Sequence, residues 1–196
     1  MSVSFYLTWI ILLSQNERVG SQKEKQNLIK QVAKKYSRKK SAKKVSAPKD
    51  GKNSNIAKIA VIGVGGGGGN AVSRMRDDLL IRGVEFIAIN TDVQDLEYSN
   101  ARRKIHIGKT VTRGLGTGMN PELGRQAAEE NKAELVEIFK SFDLVFITAG
   151  FGGGTGSGAT AIVAEAAKEA GALTIAVVTK PFSFEGGQRM RIAQEA

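Results

Sequence analysis

Short apolar runs alternate with segments of helical periodicity from Ala57 to the last residue of the chain. The runs are rich in β-branched residues and end at glycine or polar residues, which is typical of buried strands in a parallel sheet. The predicted strands cover residues 58–62, 84–89, 104–107, 144–148 and 173–179.

Periodicity and capping signals predict helices between these strands. The first is predicted to begin at Asn70, after a run of glycines, and to stop at Gly83. Another begins at Pro121, because Asn120 supplies a capping acceptor and proline fits the first helical position. Further helices are predicted over 156–170 and from about Glu185 to the end. Together these elements predict the α/β class, a doubly wound parallel sheet whose ligands bind at the carboxyl ends of the strands.

Two predicted strands lead directly into glycine-rich loops. The first loop, Gly63–Asn70, contains five consecutive glycines. It also has the Gly-x-Gly-x-x-Gly spacing of a dinucleotide fingerprint, with Asp92 about 20 residues further on. The second loop, Gly150–Gly158, joins the strand ending at Thr148 to a helix. Glycines at a helix N-terminus expose N–H groups to which phosphates bind.

Two such loops on one sheet indicate a polyphosphate that is held from both sides. The alternative is an NAD(P)-dependent oxidoreductase, which would use the first loop and leave the second unexplained. A P-loop is excluded, because Gly-x-x-x-x-Gly-Lys-Ser/Thr occurs nowhere in the chain.

Charge is distributed unevenly along the 196 residues. Of 29 Lys+Arg and 19 Asp+Glu, 13 basic and 3 acidic residues lie in 1–57, which accounts for the whole net charge of +10. Balanced charge in the remainder argues against nucleic-acid binding by the folded part. The chain has no cysteine, which excludes a disulfide scaffold and a cysteine-rich zinc module.

Residues 1–56 are predicted to form a basic extension, disordered or partly helical, ahead of one domain at 57–196. Its apolar run, Val3–Leu13, is too short for a membrane helix, which needs about 20 residues. Three interpretations stay open: a solvated extension or misassigned start, an arm that binds anionic lipid or nucleic acid, and an organelle transit peptide.

Five motifs, in order within 57–196, resemble the tubulin/FtsZ family of GTPases. They are Ile62-Gly-Val-Gly-Gly-Gly-Gly-Gly-Asn-Ala71, Asn90-Thr-Asp92, Gly114-Leu-Gly-Thr-Gly-Met-Asn-Pro121, Gly152-Gly-Gly-Thr-Gly-Ser-Gly158 and Thr179-Lys-Pro-Phe-Ser-Phe-Glu-Gly186. The resemblance implies a GTP-binding and GTP-hydrolysing cytoskeletal protein that polymerises into the filaments of the cell-division ring. It implies GTP or GDP and Mg²⁺ as cofactors.

The resemblance also implies partners and a location. The partners are further copies of the protein itself, cell-division proteins and membrane tethers. The location is the cytoplasm at the division site, or a plastid or mitochondrion if residues 1–55 are a transit peptide.

The resemblance assigns the nucleotide-binding residues. Phosphate contacts are expected from the two glycine loops, with Thr155 as a hydroxyl donor, and from the segment that senses the γ-phosphate. These residues are Gly66, Gly67, Gly68, Gly69, Asn70, Thr117, Gly118, Gly153, Gly154, Thr155 and Gly156. Asn90, Thr91 and Asp92 are expected near Mg²⁺ and its waters, with an ordinary helix cap as the alternative for Asp92.

Glu185 and Arg189 are expected at the nucleotide, with Glu185 accepting protons from the ribose hydroxyls. Their spacing of four residues also suits a plain surface ion pair. His106 and Trp9 receive no role. No catalytic or metal-ligating residue is assigned, because the family's acidic loop, central helix and second domain would follow Ala196. The chain alone is therefore expected to bind nucleotide without hydrolysing it.

Overall fold

The computed structural model describes residues 57–78 and 83–196, and their centre is a five-stranded parallel sheet. The strands are β1 (Ile59–Val64), β2 (Val84–Asn90), β3 (Arg103–His106), β4 (Leu144–Gly150) and β5 (Leu173–Thr179). All five were predicted from the sequence to within two residues at each end. Their order across the sheet is β3-β2-β1-β4-β5, so the direction of winding reverses between β1 and β4. A doubly wound sheet binds its ligand at this reversal.

Seven helices connect the described strands or follow them. They are α1 (Gly65–Asp78), α2 (Val93–Tyr98), α3 (Lys109–Thr112), α4 (Pro121–Glu130), α5 (Lys132–Phe139), α6 (Gly154–Glu169) and α7 (Gly187–Glu195). A single 3₁₀ turn, Ser183–Glu185, precedes α7.

Apolar side chains cover both faces of the sheet. On one face Ile87 and Ile89 belong to a core with Leu135 of α5 and residues of α4 and α6. On the other face Phe86 packs in a second core with Val72 of α1 and Leu96 of α2. Successive residues of β2 therefore enter different cores, as the alternation of side chains along a strand requires. The doubly wound α/β prediction is confirmed.

Two predicted helices begin earlier than the sequence pattern indicated. α1 starts at Gly65 rather than Asn70, so the five glycines form its first turn and a half instead of a loop. α6 starts at Gly154 rather than Gly156. Glycine costs a helix about 1 kcal/mol per residue. Tertiary packing overrides that cost here, because a Cβ on Gly68 would collide with the carbonyl oxygen of Thr148 in β4.

The helix predicted from Pro121 is interrupted at Asn131, which separates α4 from α5. The Asn131 side chain accepts a hydrogen bond from the Gly108 N–H at 2.9 Å and donates one to Glu134 at 2.9 Å. These contacts favour a non-helical backbone at Asn131, whose φ and ψ are −105° and 8°. The final helix likewise begins at Gly187, two residues after the predicted Glu185.

The predictions for residues 1–56 lie outside the described residues. Within residues 57–78 and 83–196, no helix combines the length and the apolar character that crossing a membrane requires.

Candidate functional site

A pocket of about 240 Å³ lies at the carboxyl ends of β1 and β4, where the strand order reverses. The register pairs Gly63 with Thr148 and Val64 with Ala149, so the two strands end at the same level. The segments that follow them therefore meet side by side. The lining residues are Val64, Gly65, Gly66, Gly67, Asn90, Asp92, Asp95, Leu115, Gly116, Thr117, Gly118, Gly150, Gly153, Gly154, Thr155 and Gly156.

Two helix N-termini line this pocket. α1 begins at Gly65 and α6 at Gly154, and neither helix has an acidic residue in its first turn. Gly153, the N-cap residue of α6, supplies no side-chain hydrogen bond. By contrast, Asp92 caps α2 and Asn120 caps α4 through their side chains. The first N–H groups of α6 are thus available to an anion, which the positive end of each helix dipole also favours.

Close packing of glycines brings the two walls together. Gly65 has φ +70°, and a Cβ there would lie 2.9 Å from the main-chain nitrogen of Gly156. A Cβ on Gly154 would collide with the Thr117 hydroxyl, which brings the segment Leu115–Gly118 against α6. A Cβ on Gly153, by contrast, would meet nothing within 4 Å. Gly153 therefore faces open space in the pocket.

Three threonine hydroxyls meet beside the pocket, and two of these threonines, Thr117 and Thr155, line it. The Oγ1 atoms of Thr91 and Thr155 are 2.7 Å apart, and those of Thr117 and Thr155 are 3.2 Å apart. The exposed fractions of these residues are 0% for Thr91 and 8% for each of the other two. Each threonine comes from a different segment: the end of β2, the segment before α4, and the first turn of α6.

Two carboxylates complete the polar lining. Asp92 Oδ1 accepts hydrogen bonds from the N–H groups of Gln94 and Asp95, at 2.9 and 3.2 Å. Asp95 Oδ2 accepts from Asn90 Nδ2 at 3.3 Å. Among the described residues no group of three or more His, Asp or Glu could hold a metal ion. A Mg²⁺ ion here would therefore depend on one or two carboxylates together with ligand oxygens and water, which is its usual coordination at phosphates.

Most of the predicted nucleotide contacts lie in this one pocket. Its lining includes Gly66, Gly67, Thr117, Gly118, Gly153, Gly154, Thr155 and Gly156. Gly68 instead packs against the backbone of β4. Gly69 and Asn70 line an adjoining cavity of about 50 Å³, which shares Asp95 with the main pocket.

Glu185 and Arg189 do not line the pocket. Arg189 Nη1 lies 3.3 Å from Glu185 Oε2, and the other oxygen of Glu185 accepts a hydrogen bond from the Phe182 N–H at 2.9 Å. The structure thus contains the surface ion pair that the spacing allowed. Contact of either residue with a nucleotide stays a prediction.

Sequence reasoning did not single out several lining residues, of which Asp95 carries the most chemistry. It lies three positions after Asp92 on α2, a helix of six residues that the pattern did not predict. Leu115 was not singled out either, although it lies within the quoted motif Gly114–Pro121; this lining residue is 84% exposed. Gly65 and Gly116 belong to the quoted motifs, and Gly150 begins the second glycine-rich loop, so these sequence features could have identified them.

Comparison with known proteins identifies relatives of this site and fold. The family model "Tubulin/FtsZ family, GTPase domain" matches residues 58–196. The chain is 58% identical over 144 residues to the cell division protein FtsZ of Pseudomonas aeruginosa, covering 72% of this chain and 36% of that protein.

Solved structures agree with the family match. A structure described as an empty FtsZ dimer from M. jannaschii has a TM-score of 0.69 at 42% identity, covering 90% of this chain and 45% of that one. A CetZ2 protofilament from Haloferax volcanii with bound GTPγS has a TM-score of 0.64 at 26% identity, covering 70% and 44%. The chain thus spans less than half the length of these relatives.

The matching family is one of GTPases, which favours the GTPase interpretation over the oxidoreductase alternative. The second glycine-rich segment, which the oxidoreductase alternative left unexplained, lines the pocket together with the first. On its sequence and its fold, the chain belongs to the Tubulin/FtsZ family, in its GTPase domain.

Proposed function

We propose that this chain forms the GTP-binding part of a cytoskeletal GTPase that polymerises into the filaments of the cell-division ring. The observation that carries the proposal is the pocket of about 240 Å³ that is lined by the N-termini of both α1 and α6. Two helix N-termini on one cavity suit a ligand with several negative charges, such as a nucleoside triphosphate.

In this proposal the glycine N–H groups and Thr155 hold the phosphates. Gly66 and Gly67 do so from α1, and Gly153 and Gly154 from the start of α6. Main-chain donors suit this task because they are fixed before the ligand arrives and need no reorganisation. Thr117 and Gly118 close the third side of the pocket.

Mg²⁺ belongs to the same proposal, because Asp92 and Asp95 bring negative charge to the wall of an anion-binding pocket. Carboxylates beside phosphates would repel a bare triphosphate, whereas a divalent cation between them is attracted to both. When bound, Mg²⁺ neutralises the charge of the phosphates. Glu185 and Arg189 would exchange their mutual ion pair for the ribose and the rest of the nucleotide.

Self-association and the place of action also belong to the proposal. Relatives described as an FtsZ dimer and as a protofilament support further copies of the chain as partners. Similarity to a cell division protein supports the cytoplasmic division site as the location, with cell-division proteins and membrane tethers as other partners.

Equilibrium dialysis of the full chain against labelled GTP, ATP and NAD, with and without Mg²⁺, tests the binding function. We expect GTP to bind, Mg²⁺ to strengthen binding, and Thr155→Ala to weaken it. Thr174→Ala is the matched control, because the Thr174 hydroxyl donates to the Ala172 carbonyl at the opposite end of the sheet. Binding of NAD in preference to GTP would contradict the proposal.

Light scattering tests self-association. We expect the chain, added to P. aeruginosa FtsZ in the presence of GTP, to change the extent of filament formation in proportion to its concentration. Unchanged scattering at an equimolar ratio would count against the assembly part of the proposal while leaving nucleotide binding intact.

A further inference from the structure

The meeting of three threonine hydroxyls carries a consequence for how phosphate is bound. We propose that Thr91 and Thr117 are positioning residues that hold the Thr155 hydroxyl so that its proton points at a phosphate oxygen of the nucleotide. This inference rests on the proposed function. Thr91, which is not among the residues that line the pocket, would act only through Thr155, whereas Thr117 would act through Thr155 in addition to its own predicted phosphate contact.

A hydroxyl group can make only a limited number of hydrogen bonds. A threonine hydroxyl has one proton to donate and two lone pairs that accept. Thr155 Oγ1 lies 2.7 Å from Thr91 Oγ1 and 3.2 Å from Thr117 Oγ1. If both neighbours donate to Thr155, its two lone pairs are occupied, and its own proton is free for an acceptor in the pocket.

The hydroxyl of Thr91 is expected to keep its hydrogen bond with Thr155. It is fully buried, and within the described part of the chain its hydroxyl has its hydrogen bond with Thr155. Burying a hydroxyl without a hydrogen bond costs about 1–3 kcal/mol, so this contact is expected to persist with and without ligand.

Hydrogen bonds hold the backbone of Thr91 in place. Its N–H donates to Asn90 Oδ1 at 2.8 Å, and its carbonyl accepts from the Thr112 hydroxyl at 3.2 Å and from the Gly116 N–H at 3.4 Å. Thr91 is therefore a fixed reference against which the more accessible Thr155 is oriented.

Thr117 supplies the second constraint from the opposite side. Its carbonyl accepts a hydrogen bond from the Asn120 N–H at 3.0 Å, which connects it to the start of α4. Because both neighbours are donors to the same oxygen in this arrangement, loss of either one frees a lone pair on Thr155. Its proton can then turn away from the phosphate toward the remaining neighbour.

The competing explanation is that the three threonines only fill space in the core. Valine distinguishes the two, because it has the shape of threonine without the hydroxyl. If packing alone matters, Thr91→Val leaves GTP affinity unchanged, because Thr91 is not among the residues that line the pocket. If the hydroxyl orients Thr155, GTP affinity falls although the fold is retained.

The test measures GTP binding to the full chain by equilibrium dialysis with Mg²⁺, with thermal unfolding recorded for each variant. We expect Thr91→Val and Thr117→Val each to weaken GTP binding about 3- to 10-fold, the size of one hydrogen bond. Thr91→Ser and Thr117→Ser, which keep the hydroxyl, should restore most of the affinity. In a Thr155→Val background Thr91→Val should weaken binding no further, and Thr117→Val should weaken it less than in the wild-type background, since the group that they position is gone.

Two results would overturn the inference. One is wild-type GTP affinity in Thr91→Val or Thr117→Val, in a variant whose thermal unfolding shows that it is folded. The other is an equal loss of affinity with and without Thr155. A wild-type chain that binds no GTP would instead overturn the proposed function, and this inference with it.

Discussion

The first residue of α1 and the first turn of α6 approach each other so closely that no side chain fits between them: a Cβ on Gly65 would lie 2.9 Å from the nitrogen of Gly156. One helix follows β1 and the other follows β4. The positive ends of the two helix dipoles therefore point to the same pocket, and a ligand in that pocket would interact with both dipoles.

Replacement of Gly65 by alanine should destabilise the protein. Gly65 has φ +70°, where an L residue is strained, and its added methyl would collide with the backbone at Gly156. We expect Gly65→Ala to lower the free energy of unfolding by about 1–3 kcal/mol and to abolish GTP binding. Urea denaturation checks the stability. The control is Gly187→Ala, where a Cβ meets nothing within 4 Å; equal stability of the two variants would contradict the packing described.

Gly153→Ala should separate ligand binding from stability. Gly153 has φ −103°, which alanine accepts, and its Cβ would meet no protein atom within 4 Å. As an N-cap change it should cost at most about 1 kcal/mol of stability. Its methyl group would nevertheless enter the pocket and displace phosphate from the α6 N–H groups. We expect GTP affinity to fall at least about 10-fold; unchanged affinity in dialysis would exclude phosphate from this wall.

Asp95→Asn should make GTP binding less dependent on Mg²⁺. The substitution removes one negative charge and keeps an oxygen that can accept from Asn90, as Asp95 does at 3.3 Å. Without Mg²⁺ we expect GTP to bind Asp95→Asn more tightly than wild type, because one repulsion is gone. With Mg²⁺ that advantage should shrink or disappear. Glu97→Gln, an exposed charge on the same helix, is the control and should show neither effect.

The acid titration of Glu122 should report its contact with Arg125. Hydrogen bonds, from Arg125 first and then from Gln126, lower the pKa of Glu122 from 4.5 to about 2. Because the folded pKa is the lower one, this contact favours the folded state above pH 4.5, and its contribution is lost as the pH falls toward 2. We expect Arg125→Gln to raise the pKa, as read from the carboxyl resonance by NMR. Arg191→Gln should leave it unchanged, and a wild-type midpoint near 4.5 would contradict the contact.

The strands could be predicted from sequence because their signal is local. β4, Leu144–Gly150, is a continuous apolar run whose length and composition suit a central parallel strand. The start of α1 could not be predicted, because five glycines disfavour a helix and only packing against β4 makes one there. The short helix α2 was missed for a similar reason: its start depends on a cap by Asp92 rather than on periodicity.

The same limit applies to the site. The glycine motifs placed eight of the predicted residues at one pocket, since strand ends meet wherever two parallel strands are neighbours. The contact between Thr91 and Thr155 could not be predicted, because 64 residues separate them in sequence and only the register of the strands brings them together. Asp95 was missed along with the helix that carries it.

The pocket assembled from these distant segments has a thermodynamic consequence. Its walls come together only when β1, β2 and β4 are side by side, so an unfolded chain offers the ligand no comparable surface. Ligand binding therefore stabilises the native state. The free energy of unfolding rises by about 2.7 kcal/mol when the free ligand is present at 100 times its dissociation constant. The concentration of free ligand around the protein thus governs its resistance to heat and proteases as well as the occupancy of its site.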